Sequence, residues 1–166
     1  MPIAEDLAII SRQEAELRFT SFDYDTAWRL GQSLRELATS RNQSLVIDIL
    51  RFGQPHQPLF YTALAGTTPD NPRWVQRKSN VVARFHRSSY AIGLALEQTN
   101  RTFSERYNLP DADYAAHGGS FPIHVTGTGI IGCVTVSGLP QREDHNLVIE
   151  ALCLELKQDH VSLRLP

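Results

Sequence analysis

Six of the ten glycines in this chain fall between residues 118 and 138, inside the stretch "HGGSFPIHVTGTGIIGCVTVSGLP". That clustering limits the possible folds more than any other feature. The letters Gly127-Thr128-Gly129-Ile130-Ile131-Gly132 spell G-x-G-x-x-G, the pattern that turns a strand into a helix under a dinucleotide. Here the pattern runs straight into "CVTVS", a β-branched stretch that favours a strand and not the required helix. Too few residues follow Gly129 for the further βαβ units of a nucleotide-binding sheet. Gly127 to Gly129 therefore reads as a tight turn between two antiparallel strands, Phe121 to Thr126 and Ile130 to Ser137. Gly132, inside the second strand, marks a close approach of another backbone or a ligand.

The rest of the chain supplies helices and strands for a single sheet. Residues 4 to 16 and a segment capped by Asp23, with Ala27, Leu30, Leu34, Leu37 and Ala38 at helical spacing, read as helices. Leu17 to Phe22 alternates as a short strand between them. "SLVIDILRF" and "LFYTALA" read as an antiparallel pair joined by a Gly/Pro-rich connector. Asp48, inside the first of these, is expected to face water. Asn71 and Pro72 announce a helix whose broad face carries Trp74, Lys78, Val81, Val82, Phe85, Ser89 and Ile92. Residues 97 to 116 are polar and irregular, with a helical turn near Phe103 to Tyr107. A last helix begins near Pro140, with Glu143 and Asp144 in its first turn and Val148, Ile149, Leu152 and Leu156 on its apolar stripe.

Lys78 is the odd member of its stripe. Either its methylenes cover the core while its ammonium reaches water, or the ammonium enters a pocket and holds a carboxylate. Among the remaining chemistry-bearing residues, His117 and His124 flank the paired glycines, and Asp144-His145 open the last helix. Those four would converge on a metal if strand and helix packed as neighbours, although their spacing matches no metal motif. Cys133 and Cys153 lack paired spacing and read as buried small hydrophobes. Ser120 and Ser137 stand beside glycines without a nucleophile-elbow pattern.

"HGGSFPIHVTGTGIIGCVTVSGLPQREDHNLVIEAL", with "NPRWVQRKSNVVARFHRSS" upstream, resembles the GlcG/HbpS-like α/β family, often labelled heme-degrading-domain proteins. The resemblance runs from about Phe19 to Leu156 and rests on the Gly-Gly-x-x-Pro and Val-Ser-Gly elements. It implies a single domain over residues 1–166, with an N-terminal helix at 1–16 and a tail at 161–166. The implied fold is α/β (α+β): a profilin-like or PAS-like antiparallel sheet of about five strands flanked by helices, assembled into homo-oligomers. Where the heme-binding branch carries Pro before the paired glycines, this chain carries His117.

The charge balance, sixteen basic against eighteen acidic residues, gives no footprint for nucleic acid. An acidic N-terminal stretch without a long apolar run argues against a leader peptide or membrane span, and points to the cytoplasm. The leading expectation is a small-ligand-binding homo-oligomer for heme, iron or a small anionic metabolite. Its ligand site would gather His117, Gly118, Gly119, Trp74, Lys78, Ser137 and Gly138. The alternatives are an enzyme acting on that ligand, for which no assembled acid-base pair is visible, and an assembly or adaptor protein without catalysis.

Overall fold

The computed structural model describes residues 2–166. Its elements are α1 (Ile3–Glu16), β1 (Arg18–Phe19), α2 (Tyr24–Ser40), β2 (Val46–Arg51), β3 (Gln57–Ala63), α3 (Asp70–Phe85), α4 (Ser89–Gln98), α5 (Phe103–Tyr107), β4 (Ser120–Val125), β5 (Gly129–Ser137), α6 (Gln141–Leu156) and α7 (His160–Leu163). The strands form one five-stranded sheet in the order β1-β4-β5-β2-β3.

The glycine-rich stretch is the β4–β5 hairpin. Gly127 and Gly129 take φ of 81° and 105°, values that L-residues avoid, so the turn closes where only glycine is unstrained. Gly132 pairs opposite Arg51 on β2, and a methyl group there would collide with the Leu50 carbonyl. The β2–β3 and β2–β5 pairs are antiparallel as well.

The sheet departs from the expected all-antiparallel form at β1. Of the alternating run from Leu17 to Phe22, only Arg18 and Phe19 pair, and they pair parallel to His124 and Val125. Phe19 and Phe22 instead turn inward and pack edge to face.

Alternation along the strands sorts side chains to two faces. Ile47, Ile49, Phe121, Ile123, Val134 and Val136 join Leu30, Leu34, Val148, Ile149 and Leu152 in the main core, beneath α2 and α6. The opposite face carries Ser120, Cys133, Thr135 and Ser137 and lies under α3, which crosses β2, β4 and β5. Asp48 belongs to this second face, where it is 7% exposed. It does not face water as expected, because α3 covers that side of β2.

Two helix boundaries also differ from expectation. The helix expected to be capped by Asn71 and to start at Pro72 begins two residues earlier, at Asp70, and the Asn71 side chain accepts from the Thr68 backbone N–H at 2.9 Å, back toward the loop. The continuous stripe from Trp74 to Ile92 is two helices. His86 ends α3 in the left-handed region, φ 54°, and Ser88 caps α4 by accepting from the Ala91 N–H at 3.2 Å. Residues 161–166 are docked: Leu163 joins the main core, and Leu165 packs with Ile10, Tyr90, Ala91 and Leu94 under α1.

Candidate functional site

A cleft of about 350 Å³ opens where β5 ends, between the first turns of α3 and α6. The chain reaches it three times. The first turn of α3 brings Asn71 and Trp74, and its next turn brings Lys78. The loop before β4 brings His117, and the end of β5, the turn after it and the first turn of α6 bring Ser137, Gly138, Gln141 and Asp144.

Lys78 and Asp144 form its floor. The Lys78 ammonium donates to Asp144 Oδ2 at 2.8 Å and to the Val136 carbonyl at 3.2 Å. The second carboxylate oxygen, Oδ1, accepts from the Leu139 backbone N–H at 3.1 Å. Asp144 thus stabilises the start of α6 and neutralises Lys78 at once. Both side chains are almost fully buried, and burial pulls the Lys78 pKa down and the Asp144 pKa up, while their mutual attraction opposes each shift. An ammonium has three N–H donors, and two are accounted for here. Lys78 also lines the cleft.

The paired glycines explain how the loop comes so near. At Gly119, φ 129°, an added methyl group would lie 2.8 Å from Lys78 Nζ and strike the Val136 carbonyl. At Gly118 it would strike the Gln141 carbonyl. Ser89 fixes the same loop: its Oγ donates to the His117 carbonyl at 2.5 Å and accepts from the Ser120 N–H at 3.1 Å.

His117 and Trp74 make the wall, with ring centroids 5.3 Å apart and nearly perpendicular. His117 is exposed on one side, and partial desolvation by the cleft, helped by the charges of Lys78 and Arg77, lowers its pKa and favours the neutral imidazole. Trp74 Nε1 donates to Asp70 Oδ2 at 3.0 Å, and the Arg77 guanidinium lies 4.5 Å from the Trp74 ring centroid.

The cleft therefore gathers His117, Trp74, Lys78, Ser137, Gly138 and Asp144, with Gly118 and Gly119 behind them. The expected metal set does not come together. His145 follows Asp144 on a helix, which turns it about 100° away. Its Nε2 pairs with Gln13 Oε1 at 2.8 Å, between the rings of Tyr90 and Phe121. His124 lies in a separate hollow with Arg18, Pro122 and Ile130. Among the described residues, no three His, Cys, Asp or Glu side chains are grouped to hold a metal ion. Cys133 and Cys153 are buried free thiols.

Sequence reasoning missed Thr68, Asn71, Leu139 and Gln141 at the rim. The "TTPDNP" turn signal marked the first two as a helix start, but nothing local says that this start faces that of α6.

Fold and cleft together define a class: a single-sheet α/β domain with a polar, aromatic-walled cleft at the N-terminal ends of two helices. The family profile described as "Haem degrading protein HbpS-like" matches residues 22–153, and the chain belongs to that family. A "UPF0303 protein" of Acidobacterium capsulatum is 55% identical over 166 residues, covering 100% of this chain and 99% of that one. Among solved structures, the Ybr137w protein superposes with a TM-score of 0.83 at 28% identity, covering 92% of this chain and 90% of the other. A PduOC:heme complex superposes at 0.67 with 13% identity, covering 80% and 94%, a likeness of fold alone.

The family's description raises heme, and the cleft residues do not fit it. A tetrapyrrole needs a slab of apolar side chains on both faces beside its axial ligand. In the cleft between α3 and α6, Thr68, Asp70, Asn71, Gln141 and Asp144 stand beside His117, and only Trp74 and Leu139 offer apolar surface there.

Proposed function

We propose that this protein binds a small anionic metabolite, a carboxylate by preference, in the cleft between α3 and α6. The observation that carries this reading is the buried Lys78 ammonium, which lines the cleft with two of its three N–H donors held by Asp144 and Val136. The first turns of α3 and α6 flank it, and their partial positive charge favours the same sign of ligand. The Lys78–Asp144 pair is neutral overall, and the remaining carboxylate of the lining, Asp70, is exposed and accepts from Trp74 Nε1. Trp74 and neutral His117 supply a flat wall for the body of the ligand, and His117 can donate or accept one hydrogen bond there.

Calorimetric titration with acetate, butyrate, lactate and inorganic phosphate tests this. At least one should bind saturably to the wild type and lose about tenfold or more in affinity in a Lys78→Met/Asp144→Asn double variant. That variant removes the cation without stranding a buried carboxylate, and circular dichroism checks its fold. Failure of all four probes to bind sinks the reading. Hemin is the control: a saturable Soret band abolished by His117→Ala would replace the metabolite with heme.

We further place the working unit in a symmetric homo-oligomer acting in the cytoplasm. Light scattering that gives a species near the chain mass of 18.6 kDa would overturn the first part.

A further inference from the structure

A second, open cavity of about 440 Å³ shares His117 with the cleft wall and is lined by α3, α4, α5 and the segment 111–117. His117 lines both cavities. Backbone and side-chain bonds fix the segment to α3: the Ala115 N–H donates to the Arg77 carbonyl at 3.0 Å, and Asn80 Nδ2 donates to the Asp113 carbonyl at 2.8 Å. The back of the second cavity is apolar and aromatic, with Leu96, Phe103 and Tyr114, the last two stacked at 5.4 Å.

Arg77 sits at the junction. Its guanidinium lies over the Trp74 ring, which belongs to the first cavity, while the residue lines the second. Its Nε donates to the Asp111 carbonyl at 2.9 Å, which holds the guanidinium in place and leaves its two terminal nitrogens for a ligand. His117 thus has a fixed cation on either side, Lys78 toward the first cavity and Arg77 toward the second, and both lower its pKa. The other charged side chains around the second cavity, Arg101, Glu97 and Asp111, are exposed at its rim.

We propose that the two cavities are the ends of one elongated site, which takes a molecule carrying an anionic group at each end, one on Lys78 and the other on Arg77. This rests on the anion-binding role of the first cavity. His117 and Trp74 form the waist and contact the middle of the ligand, so His117 is a specificity-determining residue. Arg77 suits the far end, because a guanidinium grips a carboxylate in two parallel hydrogen bonds where an ammonium offers a point charge.

Calorimetry with butyrate, hexanoate and octanoate against the straight-chain dicarboxylates of the same carbon numbers tests the assignment. One dicarboxylate should bind at least about tenfold tighter than its monocarboxylate partner, the gain expected of one charge-assisted contact. Arg77→Met should remove that gain, so that in the variant each dicarboxylate binds no tighter than the monocarboxylate of the same carbon number, a comparison within one protein that any change at the Trp74 wall leaves valid. If monocarboxylates bind but no dicarboxylate gains, or if the gain survives Arg77→Met, the elongated site is wrong while the anion site stands. If no carboxylate binds at all, both fall.

Discussion

Asp48 shows how a single buried residue contributes to the pH dependence of stability. It is buried on the α3 side of the sheet, and burial alone raises its pKa from the ordinary 3.8 to about 6. Between those values the folded chain holds a proton that the unfolded chain has released. Its contribution to stability is therefore greatest below pH 3.8 and is lost as pH rises through about 6. At pH 7 the folded protein carries the full penalty of a buried carboxylate. Asp48→Asn is expected to stabilise the protein at pH 7 by on the order of 2 kcal/mol and to leave it nearly unchanged at pH 3.5. Urea unfolding at both pH values measures the difference; no gain at pH 7 would show that Asp48 has a compensating partner. The sequence displayed an acidic residue in a strand, and its burial followed from a helix that packs across β2.

At the scale of elements, the Lys78–Asp144 pair ties α3 to α6 across the end of β5. Breaking one partner of a buried pair typically costs about 3–5 kcal/mol, because the other is left charged and unpaired. Lys78→Met alone should therefore destabilise strongly. The Lys78→Met/Asp144→Asn double variant should recover at least half of that loss, since the asparagine oxygen can still accept from Leu139. Chemical denaturation of the two variants and of Asp144→Asn completes the cycle; simple additivity would mean that the pair is not coupled. The stripe of α3 made Lys78 visible as an anomaly, and α6 made Asp144 visible as a first-turn carboxylate. That each is the other's partner was not legible, because their separation of 66 residues is closed only by the sheet between them.

For the molecule as a whole, α1 is a flank and not part of the main core. It packs through Ile10 on Tyr90, Ala91, Leu94 and Leu165, and polar links from several of its turns anchor it. Arg142 donates to both Asp6 oxygens, at 2.6 and 3.0 Å, Arg87 Nε donates to Glu14 at 2.7 Å, and Gln13 joins His145 and the Leu163 carbonyl. Arg142→Ala strips the buried Asp6 of its partner. It should speed hydrogen exchange in α1 by about tenfold or more while β2 and β5 stay protected, because α1 can open without unpairing the sheet. Equal acceleration in β5 would show that α1 and the sheet unfold as one unit.

The sequence by itself determined the local parts. The β4–β5 turn follows from glycines that alone tolerate positive φ, the strands from β-branched runs, and α2 and α6 from apolar spacing, an Asp23 cap and a proline start. It also singled out the paired glycines, whose missing side chains admit Lys78 Nζ and the α6 backbone. Only the tertiary structure decided which ends meet. It turned β1 parallel, broke the long α3 stripe at His86, buried Asp48, separated His145 and His124 from His117, and set two helix starts against one lysine. The reason is physical: turns and helices are fixed by interactions a few residues long, whereas a cleft is made of contacts between segments far apart in sequence, whose meeting depends on how every layer packs.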